Sequence, residues 1–205
     1  MKRYSVILTL ALSLTAVLTL PSERVRGAAA SITGAVKATG LPSNVDAVVY
    51  IQQAPGTFKS PATPVKMDQG NMRFTPHVLA VVSGATISFL NSDPVQHNVF
   101  SPDNEKYNLG TWPQGQAKDH AFTQCAKFPC VYTQLCRIHP EMEGFVVVLQ
   151  NPFFGVSDKD GHYEIEDVPP GQYVVGVWHP KLKATAKPVT VTAGKPVTVD
   201  FTLGH

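Results

Sequence analysis

Cys136-Arg137-Ile138-His139-Pro140-Glu141-Met142, followed by the apolar run Phe145-Val146-Val147-Val148-Leu149, is the stretch around which this chain is read. It sets a thiolate, an imidazole and a thioether at i, i+3 and i+6. A short loop closing onto a strand can fold those three donors around one metal ion. His97-Asn98-Val99, upstream and just after an apolar strand, supplies a second imidazole. Cysteine sulfur, two histidine nitrogens and a weak methionine sulfur are the donor set of a blue-copper electron-transfer site. Zinc is the rival metal, but its structural sites use Cys and His rather than Met. The plain alternative is that Met142 is core and Cys136 a buried thiol.

Around this stretch the chain reads as all-β. No segment after Leu20 sustains an apolar period of 3.6 residues, so almost no helix is expected. Short alternating or β-branched runs occur instead at Ser31–Lys37, Ala47–Gln52, Leu79–Val82, Thr86–Leu90, Tyr173–Trp178 and Val197–Leu203. Gly, Pro, Asn and Asp punctuate them at β-sandwich intervals. With 15 Gly and 17 Pro, the turns are well supplied.

The segment from about Val65 to Gln150 resembles the cupredoxins, in particular amicyanin and plastocyanin-like bacterial proteins. Met72-Arg73-Phe74-Thr75-Pro76 and Val82-Ser83-Gly84-Ala85-Thr86-Ile87-Ser88-Phe89 are similar to their second and third strands. Asn91 to Val99 is similar to the loop delivering the first histidine ligand, and Cys136-x-x-His139-Pro140-x-Met142 to the short amicyanin ligand loop. The resemblance implies a Greek-key β-sandwich holding one type 1 copper ion. His97, Cys136 and His139 would lie near one plane, with Met142 a long axial ligand. It also implies that Asn98 bonds across the site, holding the His97 loop and polarising the Cys136 sulfur. His139 would be the exit for the electron, toward a redox partner protein. Leu135 departs from the family, many of whose members carry an aromatic residue there.

The C-terminal part reads separately. Asp158-Lys159-Asp160-Gly161-His162-Tyr163-Glu164-Ile165-Glu166-Asp167-Val168-Pro169-Pro170-Gly171-Gln172-Tyr173-Val174-Val175 resembles the carboxypeptidase regulatory-like domain, a small transthyretin-like β-sandwich. A last hairpin, Thr190 to Leu203 through Ala193-Gly194, is expected to close it. About fifty residues are few for a sandwich, and Ile32-Thr33-Gly34-Ala35-Val36 with Ala47-Val48-Val49-Tyr50-Ile51 resembles its missing first strands. The expected organisation is therefore nested. Residues 1–30 form a signal peptide, 31–60 and 151–205 one sandwich, and 61–150 a cupredoxin domain inserted at surface turns. Tandem order, with 31–60 an extension of the cupredoxin, is the alternative.

Lys2-Arg3, the apolar run Tyr4–Leu20 and Ala28-Ala29-Ala30 have the layout of a secretory signal peptide, which places the protein in the periplasm or outside the cell. An uncleaved anchor is the other reading. No second apolar span follows, so no membrane span is expected in the mature chain. Removing residues 1–30 leaves a net charge of about −1 with basic residues scattered singly, which argues against nucleic acid as a partner. Of the three cysteines, Cys125 and Cys130 flank the turn-like Ala126-Lys127-Phe128-Pro129, and their spacing suits a disulfide in an oxidising compartment. That leaves Cys136 free. A binuclear copper centre would need C-x-x-x-C before the histidine, which the Cys130–Cys136 spacing does not match.

The remaining histidines read as ordinary. His77 is structural, His179 shapes a turn, and His120, His162 and His205 are solvated. Asp158-x-Asp160-Gly161 lacks the later bidentate glutamate of a calcium loop. No Ser-His-Asp order, phosphate-cradling Gly loop or H-E-x-x-H is present, and a four-donor site leaves no open position, so the chain is read as a non-enzyme. An electron carrier is the leading function. Copper delivery or storage, and a structural β-protein with a vestigial site, are the competitors.

Overall fold

The run Phe145–Leu149 shows no polar alternation because both of its faces are covered. The computed structural model of the chain describes residues 28–205, and every regular element among them is a strand. The expected signal peptide lies outside the described residues but for its last positions, and Ala30 already opens the first strand. In chain order the strands are β1 (Ala30–Ala38), β2 (Val48–Ile51), β3 (Val65–Gly70), β4 (Arg73–Thr75), β5 (Val78–Val82), β6 (Thr86–Asn91), β7 (His97–Ser101), β8 (Tyr107–Trp112) and β9 (Ala117–Ala121). They continue with β10 (Cys130–Leu135), β11 (Glu143–Leu149), β12 (Phe154–Val156), β13 (His162–Val168), β14 (Gly171–Trp178), β15 (Thr185–Val191), β16 (Val197–Thr198) and β17 (Phe201–Leu203).

These strands form four sheets stacked as layers. The first is β13-β1-β16, with β17 also on β1, and the second is β12-β2-β14-β15. Between them lies a core of Ile32, Val36, Ile165 and Phe201 against Val49, Ile51, Val175 and Val177. The third layer is β5-β11-β10-β7-β8 and the fourth β4-β3-β6-β9. Their core sets Val81, Tyr132, Val146 and Val148 against Met67, Phe74, Ile87 and Phe89. The second and third layers also meet, through Val48 and Tyr50 on one side and Val78, Ala80, Phe145, Val147 and Leu149 on the other. Hence β11 is buried on both faces, as continuous apolar strands are. Each such side chain contributes about 1.5–3 kcal/mol over its exposed state.

The first and second layers, built from β1, β2 and β12–β17, form the sandwich that is outer in chain order, and the third and fourth, built from β3–β11, the one that is inner in chain order. The chain leaves the first pair and rejoins it at one place. There the Ala54 N–H donates to Gln150 Oε1 at 3.2 Å, Gln150 Nε2 donates back to the Ala54 carbonyl, and Asn151 Nδ2 donates to the Ile51 carbonyl at 2.8 Å. Phe58 stays with the first pair, edge-on to Phe153 at 5.5 Å.

Two expectations are corrected. Thr190 to Leu203 is not a hairpin. Around Gly194, at φ 63°, the only pairing is an isolated Thr192–Lys195 bridge. β15 pairs with β14 in the second layer, whereas β16 and β17 cross to the first and run parallel to β1. The crossing buries Val199, Phe201 and Leu203, which a hairpin on the exposed strand β15 would leave in water. Gly34 permits the approach, since a Cβ there would lie 2.1 Å from the Val199 carbonyl oxygen. His120, expected in solvent, is stacked on Tyr107 with ring centroids 3.8 Å apart and lies 3.3 Å from Glu105. The hydroxyl of fully buried Tyr132 lies 2.5 Å from the same Glu105 and 2.6 Å from the Gln124 carbonyl, two acceptors between which its one proton is shared. Burial pushes the Tyr107 and Tyr132 phenols up.

Candidate metal centre

Strand pairing alone brings the donors together. β7 lies beside β10 with Phe100 opposite Leu135, so the residue opening β7 and the residue after β10 share one end of the sheet. The first is His97 and the second Cys136. Between β10 and β11 the chain makes a single tight loop, closed by the Met142 N–H donating to the His139 carbonyl at 3.0 Å. That loop turns His139 back over Cys136.

The result is a cluster of three donors. His97 Nδ1 and His139 Nδ1 are 3.0 Å apart, and they lie 3.9 and 3.8 Å from Cys136 Sγ. Among the described residues these side chains form a group able to hold a metal ion, with all ligand atoms within 4.8 Å of one another. His97 and Cys136 are buried and His139 half-buried. Met142 is buried in the same core as Cys136. Val95 and Ile138, one from each ligand loop, are exposed. The donor chemistry fits copper: one thiolate, two imidazoles sharing the same free nitrogen, and a thioether in the closing turn.

Asn98 bridges the two ligand loops, with a division of labour unlike the expected one. Its backbone N–H, not its carboxamide, approaches the Cys136 sulfur at 3.4 Å. The carboxamide oxygen accepts the Arg137 N–H at 3.3 Å, and Nδ2 donates to Asn108 Oδ1 and the Gly110 carbonyl at 2.8 and 2.7 Å. The side chain therefore ties both loops to β8.

Asp93, which motif reading missed, sets the orientation of His97. The two-residue turn Asn71-Met72 between β3 and β4 has positive φ at both positions, 55° and 58°, the conformation of tight hairpins. That turn aims two backbone N–H groups at one carboxylate. Asn71 donates to Asp93 Oδ1 at 2.6 Å and Met72 to Oδ2 at 2.9 Å. The Oδ2 atom also lies 2.9 Å from His97 Nε2. Burial pushes the Asp93 carboxyl up, but the Met72 N–H, the His97 ring and the Asn71 N–H outweigh it and hold it below the usual range. An ionised carboxylate only accepts, so Nε2 must carry the imidazole proton. Nδ1 is then left as the lone pair facing Cys136. The available signal was an Asp four residues before a candidate ligand histidine in a Pro-containing loop.

Cys125 and Cys130 form a disulfide, and Cys136 is free. Cys130 opens β10 while Cys136 follows its end, about 20 Å away at strand rise. The disulfide thus closes the far end of the same strand. His77, on the loop before β5, pairs with Asp46 of the outer sandwich at 2.7 Å, and His179 Nδ1 accepts the Lys181 N–H in a turn. His162 is exposed near Asp158. Neither it nor the other histidines enters the donor cluster.

The carboxypeptidase regulatory-like domain family matches residues 141–204. No curated protein matches the chain. Similar solved structures include a nitrite reductase, a cupredoxin and an amicyanin. A Cu-containing nitrite reductase (NirK) from Thermus scotoductus SA-01 is 26% identical over 47% of this chain and 25% of its own, with a TM-score of 0.39. The chain thus spans about a quarter of that reductase's length. A purple cupredoxin from Nitrosopumilus maritimus is 25% identical, covering 41% of this chain and 98% of its own, with a TM-score of 0.36. A reduced tryptophan-to-tyrosine mutant of amicyanin is 24% identical, covering 49% and 97%, with a TM-score of 0.38.

Proposed function

We propose that this chain is an exported type 1 copper protein that carries single electrons between redox partners and catalyses no reaction of its own. The observation that carries this reading is the convergence of His97 Nδ1, His139 Nδ1 and Cys136 Sγ, with Met142 buried in the same core as Cys136. Bound copper would supply a one-electron Cu(I)/Cu(II) couple. The chain's own contribution is rigidity. Asp93 fixes the His97 ring, Asn98 ties the two loops, and the Met142–His139 turn closes the third side. A cage held from three sides changes little between oxidation states, which suits electron transfer better than metal release. Half-buried His139 offers the way out for the electron. The apolar leader and the Cys125–Cys130 disulfide support an oxidising compartment outside the cytoplasm. Loading the protein with Cu(II) tests the reading. Intense visible thiolate-to-copper absorption, lost in Cys136→Ser while the β circular dichroism persists, is the expected result. A colourless Cu(II) complex, or zinc alone retained from copper-replete cells, would overturn it.

A further inference from the structure

Of the buried side-chain polar atoms without a partner among the described residues, three of four belong to two residues at one end of the inner sandwich. Gln69 is 0% exposed, and neither its Oε1 nor its Nε2 meets a hydrogen-bonding atom; Trp112, 2% exposed, has an unpartnered indole Nε1. Leaving such a group unpaired costs about 1–3 kcal/mol. An apolar side chain at position 69 would avoid that cost, so the carboxamide needs something to bond.

Their positions put them under the ligand loops. Alternation along β3 turns Gln69 to the same inner face as Met67, and its partner across the β3–β4 hairpin, Phe74, is in that core too. On its other side Gln69 pairs with Asn91, also buried, whose Nδ2 donates to the Trp112 carbonyl at 3.0 Å. Trp112 is in turn the register partner of His97. Met67, Phe74 and Phe89 supply apolar neighbours in this core, Lys118 Nζ stands 5.5 Å from the centroid of the Trp112 ring, and the carboxylate of Asp93 is already taken up by Asn71, Met72 and His97. A buried water makes about three hydrogen bonds to otherwise unpaired polar atoms. Gln69 offers a carbonyl acceptor and an amide donor, and Trp112 one indole donor, the complement such a molecule requires.

We propose that Gln69 and Trp112 hold an internal water at the ligand end of the inner sandwich, accepting from the indole N–H and bonding the carboxamide. It places a rotatable dipole between the apolar core of Met67 and Phe74 and the buried polar residues Asn91 and His97. The site is built by the polypeptide alone and does not depend on copper being bound.

The chain has two tryptophans, so Trp178→Phe isolates the signal of Trp112. In the metal-free Trp178→Phe protein, a water-bonded indole emits at longer wavelength than a dry one. Adding Gln69→Leu should shift the emission to the blue and sharpen it. Unchanged emission on that substitution, or blue, structured emission already present with Gln69 in place, would refute the site. A high-resolution crystal structure of the unsubstituted protein decides independently of how the variant folds. An ordered water within hydrogen-bond distance of Trp112 Nε1 and Gln69 supports the proposal; a direct Nε1–Oε1 bond, or a dry gap, overturns it.

Discussion

Replacing Asp93 by alanine removes one acceptor group and strands three donors: the Asn71 and Met72 N–H groups and His97 Nε2–H. If each forfeits about 1 kcal/mol net, the metal-free protein loses about 3 kcal/mol. That is a large share of the roughly 5–15 kcal/mol by which domains are stable, yet short of unfolding most of them. The second effect falls on the metal. With no carboxylate facing Nε2, the His97 proton is free to settle on Nδ1, the nitrogen that faces Cys136. Loss of such a supporting partner weakens metal affinity about 10–100-fold. Asparagine is the graded control. Turned with its oxygen toward Met72 and His97 it keeps two of the three bonds, so Asp93→Asn should cost less on both counts. Urea unfolding of the metal-free proteins measures the first effect, and competition with a Cu(I) chelator the second. If Asp93→Ala leaves both the urea midpoint and the copper affinity unchanged, the carboxylate does not orient His97 and the tautomer argument is wrong.

Other outcomes follow from the same geometry. Unfolded without reductant, the metal-free protein should expose one reactive thiol, Cys136, and a titre of three would rule out the Cys125–Cys130 bridge. Replacing residues 61–150 by a short Gly-Ser linker should leave 31–60 and 151–205 folded, because Asn151 bonds the Ile51 carbonyl and Phe58 packs on Phe153, which holds both sides of the cut together without the deleted segment. Uncovered Val48 and Tyr50 should make that product self-associate, and a cooperatively folding 151–205 fragment would instead favour tandem order. His77 is raised above the ordinary imidazole value, first by its bond to Asp46. Its contribution is therefore fully present below about pH 6.5 and fades as pH rises through the elevated value. At 40% side-chain exposure the pair is worth under about 1 kcal/mol, so Asp46→Asn should flatten the pH dependence of stability by no more than that.

The ligand loop and the all-β architecture were readable because each rests on local pattern. Cys136, His139 and Met142 sit within one loop, and the Phe145–Leu149 run advertises a strand covered on both sides. Asp93 was not readable, since its role depends on a turn at Asn71-Met72 that is distant in sequence and adjacent only after β3 and β6 pair in parallel. The two edge strands β8 and β9 carry little apolar alternation, so tertiary pairing rather than propensity defines them. His120 follows polar Lys118 and Asp119 in sequence, while the ring it stacks on, Tyr107, lies thirteen residues away and is brought to it only by the fold. The C-terminal strands were placed in the wrong sheet for a similar reason. Nothing local distinguishes a strand returning to β15 from one crossing to β1.

The covered outer face of β5 and β11 bears on any attempt to use the metal-binding half as a portable part. Cut free, residues 61–150 would display Val78, Ala80, Phe145, Val147 and Leu149 as one greasy stripe, with no lysine or proline on either strand to deter a second copy. Transplanting the centre into another scaffold therefore calls for resurfacing those positions with polar side chains. Inside the natural chain Val48 and Tyr50 cover the same stripe, which closes that face to visiting proteins.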